Sequence, residues 1–117
     1  MPLPLGVAVA RSTAQLSRDL RVRAVVVRAT TGASASVVTA SRPAAPVVIF
    51  STDASLCRRL NLLWGVIPCQ IEQAEFEQPP QAARRLAVDL RLATAGDVIL
   101  LLAGFVKDEP MITVLPV

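Results

Sequence analysis

The sequence predicts an α/β protein, a three-layer arrangement in which a mostly parallel five-stranded sheet is covered by helices on both faces. Three observations carry this. Short apolar runs of strand length alternate along the chain with segments of helical spacing. The runs are continuous rather than alternating, as in strands buried on both faces. The last two runs, residues 98–105 and 111–117, are separated by residues 106–110 alone, which suits a hairpin and is too short for a crossover.

The chain is organised around residues 23–41. Val25, Val26 and Val27 are a β-branched run too short for a helix and suited to a strand covered on both sides. Thr30, Thr31, Gly32 and Ser34 follow, with the turn chemistry and hydroxyls that start a helix at a strand's carboxyl end. In open α/β sheets that end is where ligands bind. A short helix over residues 34–41, carrying Val37 and Val38, stops at Arg42-Pro43.

Ahead of this unit, Val9, Leu16 and Leu20 build one apolar face of a helix over residues 7–20, opposite Arg11, Arg18 and Asp19. After it, residues 47–50 read as a second strand. Ser51, Thr52 and Asp53 then cap a helix with Leu56, Leu60 and Leu63 at helical spacing, ended by Gly65. Residues 66–71 form a third strand, placed at the sheet's edge because Pro68 cannot donate to a ladder. Residues 72–78, acidic and polar with Phe76 as their one large apolar side chain, read as an exposed loop. Pro79 and Pro80 start the next helix, with Ala83, Leu86, Ala87 and Leu90 as its buried stripe. Gly96-Asp97 turns the chain into residues 98–105, the most apolar strand and therefore expected to be central, and the terminal strand returns antiparallel.

Composition narrows the function. The chain has 117 residues, about one domain, and 53% are apolar, too many for a disordered tail. The longest uncharged apolar run, residues 98–106, falls far short of the ~20 residues of a membrane helix. Pro2 and Pro4 interrupt the amino end and no charged segment precedes them, so no signal peptide is expected, and the reading is of a soluble, cytoplasmic protein. There is no histidine, which removes the commonest general base and metal ligand and every Ser-His or Cys-His pair. Cys57 and Cys69 match neither a CxxC pair nor a zinc pattern and read as reduced core thiols. The net charge of +3, on eleven arginines and Lys107, comes without stacking aromatics or a docking motif, so nucleic-acid binding is not expected.

Five collinear blocks resemble one family. Residues 58–68, RRLNLLWGVIP, are similar to the "R-x-L-x-L-x-x-G-V-x-P" segment of the pyruvate kinase carboxy-terminal domain. Arg42-Pro43 with Ala45-Pro46 and Val47-Val48-Ile49 resembles its "R-P-x-x-P-I-I" step, and residues 31–35 its "S-G-x-[ST]-A" loop. Gly96-Asp97-Val98 with Ala103-Gly104-Phe105 resembles its "G-D-x-V-V-x-x-x-G" strand, and residues 114–117 its "V-x-P-V" tail. The similarity runs over residues 7–117, with residues 1–117 read as a single domain.

The resemblance implies sheet order 3-2-1-4-5 with the last strand antiparallel. It also implies a regulatory and assembly module of a glycolytic phosphotransferase that moves phosphate from phosphoenolpyruvate to ADP. The family's catalytic residues lie on a barrel, and Mg and K would bind there; no cofactor is implied for these residues, and the chain alone is expected to be inactive. In the family the module helps build a tetramer, and in many members it binds a sugar bisphosphate in the loop after the first strand. Carried over, Thr31, Gly32 and Ser34 match positions whose N–H groups and hydroxyls hold phosphate, with Thr30 and Ala33 in the same loop. Ala29 replaces a usual hydroxyl residue and Ala33 stands where some members have a basic one. The glycine-rich closing loop is shortened to residues 106–110, where Asp108 and Glu109 would repel phosphate, so the effector loop is degenerate. Two other readings stand beside this one. One is a free-standing non-catalytic module that binds an anion or a partner; the other is a small enzyme using Asp53 or Asp97, each of which also reads as a cap or turn residue.

Overall fold

Val25, Val26 and Val27 are each fully inaccessible to solvent, and the rest of the fold is built outward from them. The computed structural model describes residues 5–29, 43–61, 65–103 and 111–117, with Leu5 and Gly6 described by backbone alone. Its strands are β1 (Val25–Arg28), β2 (Val47–Ser51), β3 (Val66–Gln70), β4 (Val98–Ala103) and β5 (Met111–Pro116). They form one sheet in the order β3-β2-β1-β4-β5. β1 pairs in parallel with β2 and β4, β2 pairs in parallel with β3, and β4 pairs antiparallel with β5. The helices are α1 (Leu5–Asp19), α2 (Ala54–Leu60), α3 (Gln73–Phe76) and α4 (Pro79–Asp89).

The period of two in a strand divides the apolar residues between two cores. Val26, Val48, Phe50, Ile99 and Leu101 face Ala82, Ala83, Leu86 and Ala87 of α4 and Phe76 of α3. Val25, Val27, Val47, Ile49, Leu100 and Leu102 face Leu56 and Leu60 of α2, with Leu16 of α1 packed alongside. The register makes these layers coherent, because Val25 lies beside both Val47 and Leu100, and Val27 beside both Ile49 and Leu102. Each such side chain contributes about 1.5–3 kcal/mol on burial, so the valine triplet secures both layers at once. With aromatics at 3% of the chain, Phe50 and Phe76 supply the one edge-to-face aromatic contact among the described residues, at 6.1 Å between centroids.

Several boundaries follow from local chemistry. Asp53 caps α2, its Oδ1 accepting from the N–H groups of Ser55 at 2.9 Å and Leu56 at 3.3 Å. Pro79 and Pro80 occupy the first turn of α4, where their missing N–H costs nothing. α1 and α4 both end in a left-handed residue that is an arginine, Arg21 at φ 51° and Arg91 at φ 59°. In each case the following N–H reaches back to an orphan carbonyl, Val22 to Ser17 at 3.3 Å and Leu92 to Ala87 at 2.9 Å.

Some expectations are corrected. Residues 72–78 are not a loop: they contain α3, and Phe76 is buried because a large ring gains from burial beside Phe50 while the acidic side chains around it remain solvated. The stripe of α4 takes in Ala82, whereas Leu90 caps the helix and is 36% exposed. The buried face of α1 consists of Ala10, Thr13, Ala14 and Ser17, while Leu20 lies beyond the helix end and is 45% exposed. Thr13 and Ser17 tolerate burial because their hydroxyls donate to the carbonyls of Val9 at 2.8 Å and Ala14 at 2.7 Å. β4 is an interior strand, but the middle position belongs to β1. α2 ends at Leu60, and Gly65, at φ 80°, instead leads the chain into β3. Pro68 does lie on an edge strand, opposite Ile49. The expected helix over residues 34–41, Leu63, and the 104–110 connection lie outside the described residues.

Candidate functional site at the carboxyl end of the central strand

Strand order reverses between β1 and β4, since the chain winds from β1 to β3 on one side and crosses to β4 on the other. In open α/β sheets ligands bind beyond the carboxyl ends of the strands at such a switch point. β1 delivers Ala29 there, buried and fixed by its N–H to the Phe50 carbonyl at 3.0 Å. The neighbouring strand β4 ends at Ala103, which is in register with Met111 at the start of β5. Thr30, Thr31, Gly32, Ala33 and Ser34 lie outside the described residues. What the structure fixes is the strand that launches them.

Arg28, the last residue of β1, is the charged group held at this edge. Its Nε donates to the Phe76 carbonyl at 2.9 Å, and its guanidinium carbon stands 4.0 Å from the centroid of the Phe76 ring. A carbonyl at a helix end and the face of a ring both favour a cation, so the side chain is oriented twice over. In the sequence Arg28 counts only as one of eleven arginines behind the net charge, and this role was missed. The signal was present: a strand buried on both faces that ends in arginine must give that charge a partner.

The carboxylates weighed as catalytic do not meet. Asp53 sits past the carboxyl end of β2 and is engaged in capping α2. Asp97 precedes β4 at the opposite edge, accepting from the Thr94 N–H at 2.9 Å and lying 3.6 Å from Arg23 Nε. The Thr94 N–H, followed by the nearby Arg23 charge, holds its carboxyl below the usual range. Both thiols are free, and burial pushes each upward, aided by Asp53 at Cys57 and by Cys57 at Cys69. They are poor nucleophiles in that state. Among the described residues there is no group of three or more Cys, Asp or Glu that could hold a metal ion, and no helix long and apolar enough to cross a membrane.

Strand order and pairing together define a doubly wound α/β unit with a switch point between β1 and β4 and an antiparallel terminal strand. Residues 7–113 match the family model for the pyruvate kinase alpha/beta domain, and the chain belongs to that family. A pyruvate kinase of Agrobacterium vitis is 29% identical over 99 residues, covering 84% of this chain and 20% of that protein. The chloroplastic pyruvate kinase isozyme A of Ricinus communis is 28% identical over 107 residues, covering 91% of this chain and 18% of its own length. Among solved structures, the pyruvate kinase of Cryptosporidium parvum in complex with ADP superposes with a TM-score of 0.82 at 20% identity, over 98% of this chain and 24% of that one. A second Cryptosporidium parvum pyruvate kinase structure gives 0.84 at 22% identity with the same coverage. The chain thus spans about a fifth of the length of the curated relatives it matches.

Proposed function

We propose that these residues form the regulatory and assembly lobe of a cytoplasmic pyruvate kinase, carry no phosphoryl-transfer chemistry themselves, and keep a weakened phosphate site at Thr30, Thr31, Gly32, Ala33 and Ser34. The observation that supports this reading best is the position of β1. The central strand ends at the switch point, the position at which open α/β sheets bind their ligands. A helix start there would offer N–H groups and a positive dipole end to a phosphate. Ala33 and the acidic pair Asp108 and Glu109 reduce the attraction, and weak binding of a sugar phosphate or inorganic phosphate is the expected result.

Assembly is the second half of the role. β5 is an edge strand of six residues whose outer ladder faces no other strand of the described sheet, and it exposes Met111 at 60% and Val114 at 48%. Long apolar edges of this kind pair readily, and pairing with a second copy closes the edge isologously.

Isothermal titration with fructose bisphosphate, glucose 6-phosphate and inorganic phosphate tests the loop. Heat that disappears in Ser34→Asp, which adds charge at the helix start, supports the assignment; heat unchanged by that substitution contradicts it. Light scattering tests assembly, with a dimer or larger species expected and a monomer at high concentration counting against it.

A further inference from the structure

At the edge of the sheet opposite the carboxyl end of β1, a cavity of about 650 Å³ opens between the end of α1 and the start of β4. Arg18, Arg21 and Arg23 line it together, with Leu20, Val22 and Val98 among its apolar walls. The one acid in this lining, Asp97, is engaged by Arg23 at 3.6 Å and by the Thr94 N–H at 2.9 Å. Arg18 donates to Gln15, a neutral partner, at 3.0 Å, and among the described residues no carboxylate pairs with Arg18 or Arg21. Two arginines of the lining, Arg18 and Arg21, are thus without an ion-pair partner among the described residues. Three carbonyls at the end of α1, those of Leu16, Ser17 and Arg18, accept from the N–H groups of Leu20, Val22 and Arg21. The volume falls within the range of small-molecule clefts, and the cleft is open to solvent along Arg18, Leu20 and Arg21.

We infer that this cavity binds a small organic oxyanion, its charged end on Arg18 and Arg21 and its carbon skeleton against Leu20, Val22 and Val98. The site is distinct from the loop at residues 30–34, since it lies at the amino ends of β1 and β4. Planar guanidinium groups suit both phosphate and carboxylate, and the apolar walls favour an anion carried on a short carbon chain over a free inorganic one.

The left-handed turn at Arg21 supplies a clean test. Arg21→Gly removes the guanidinium while placing at φ 51° the residue that prefers that conformation, so the fold is retained. Arg91→Gly makes the same cap change at the end of α4, outside the cavity lining, and serves as the matched control. The 117-residue chain is titrated with inorganic phosphate and, separately, with malonate at constant ionic strength, while backbone amide shifts are followed by NMR. Saturable shifts are expected at residues 17–23 and 96–98 with at least one of the two anions, weakened about tenfold or more by Arg21→Gly and unchanged by Arg91→Gly. The tighter of the two anions then identifies a phosphate ester or a dicarboxylate as the ligand class. Shifts confined to residues 30–34, no saturation with either anion, or equal affinity in Arg21→Gly would overturn the inference. Phosphate binding at residues 30–34 is insensitive to Arg21→Gly, so the two sites stand or fall separately.

Discussion

The guanidinium of Arg28 lies over the ring of Phe76 at 4.0 Å and also donates to the carbonyl of the same residue at 2.9 Å. One side chain thereby ties the end of the central strand to a one-turn helix that is far too short to be stable by itself. Phe76 in turn meets Phe50 edge to face, so the tie reaches the second strand.

Phe76→Ala is expected to cost about 3–4 kcal/mol in urea denaturation, as for other buried aromatics. Arg28→Ala should cost about 1–2 kcal/mol. The bond to the Phe76 carbonyl survives when the ring is removed, so a double-mutant cycle isolates the contact between cation and ring. Its expected coupling is about 0.5–1 kcal/mol, and strict additivity of the two single changes would refute that contact.

Arg91 occupies a left-handed position for which glycine is better suited. Arg91→Gly should raise stability by about 0.5–1 kcal/mol, visible as a higher urea midpoint with an unchanged slope. Arg91→Val at the same position should lower it, because a β-branched residue resists that conformation. Equal midpoints for the glycine and valine variants would show that the turn does not hold this geometry in solution.

Asp97 has a folded-state value depressed below the ordinary 3.8, first by the Thr94 N–H and then by its charged neighbour Arg23. A depressed carboxylate contributes stability that is fully present above the ordinary value and is lost as pH falls through the folded one. The stability gap between the native chain and Asp97→Ala should therefore be constant near neutrality and close from about pH 4 downward. A gap that widened with acid would reverse the assigned direction.

Much of this architecture was legible in the residues. Val25, Val26 and Val27 announced a doubly covered strand, and the short connection before Met111 announced the antiparallel return, because each depends on composition within a few residues. Where sequence reasoning failed, the deciding partner was distant. Phe76 looked like a lone ring in an acidic loop, and its burial depends on Phe50 and Arg28, far removed in the chain. The stripe of α1 was sought in Val9, Leu16 and Leu20, whereas close packing selected the small residues Ala10, Thr13, Ala14 and Ser17. The cavity beside Arg21 had no sequence signature, since it arises where α1 ends against the start of β4. The loop at Thr30 to Ser34 was read from hydroxyls, glycine and family resemblance, and the structure adds the placement of the strand that precedes it.

The central claim is that this chain is a lobe that assembles and senses while transfer chemistry resides elsewhere, and a turnover assay tests it most directly. Purified chain is supplied with phosphoenolpyruvate, ADP, Mg and K, and pyruvate is followed by a coupled assay. No pyruvate above the protein-free rate is expected at any chain concentration; turnover that scales with the chain and survives repurification would contradict the account.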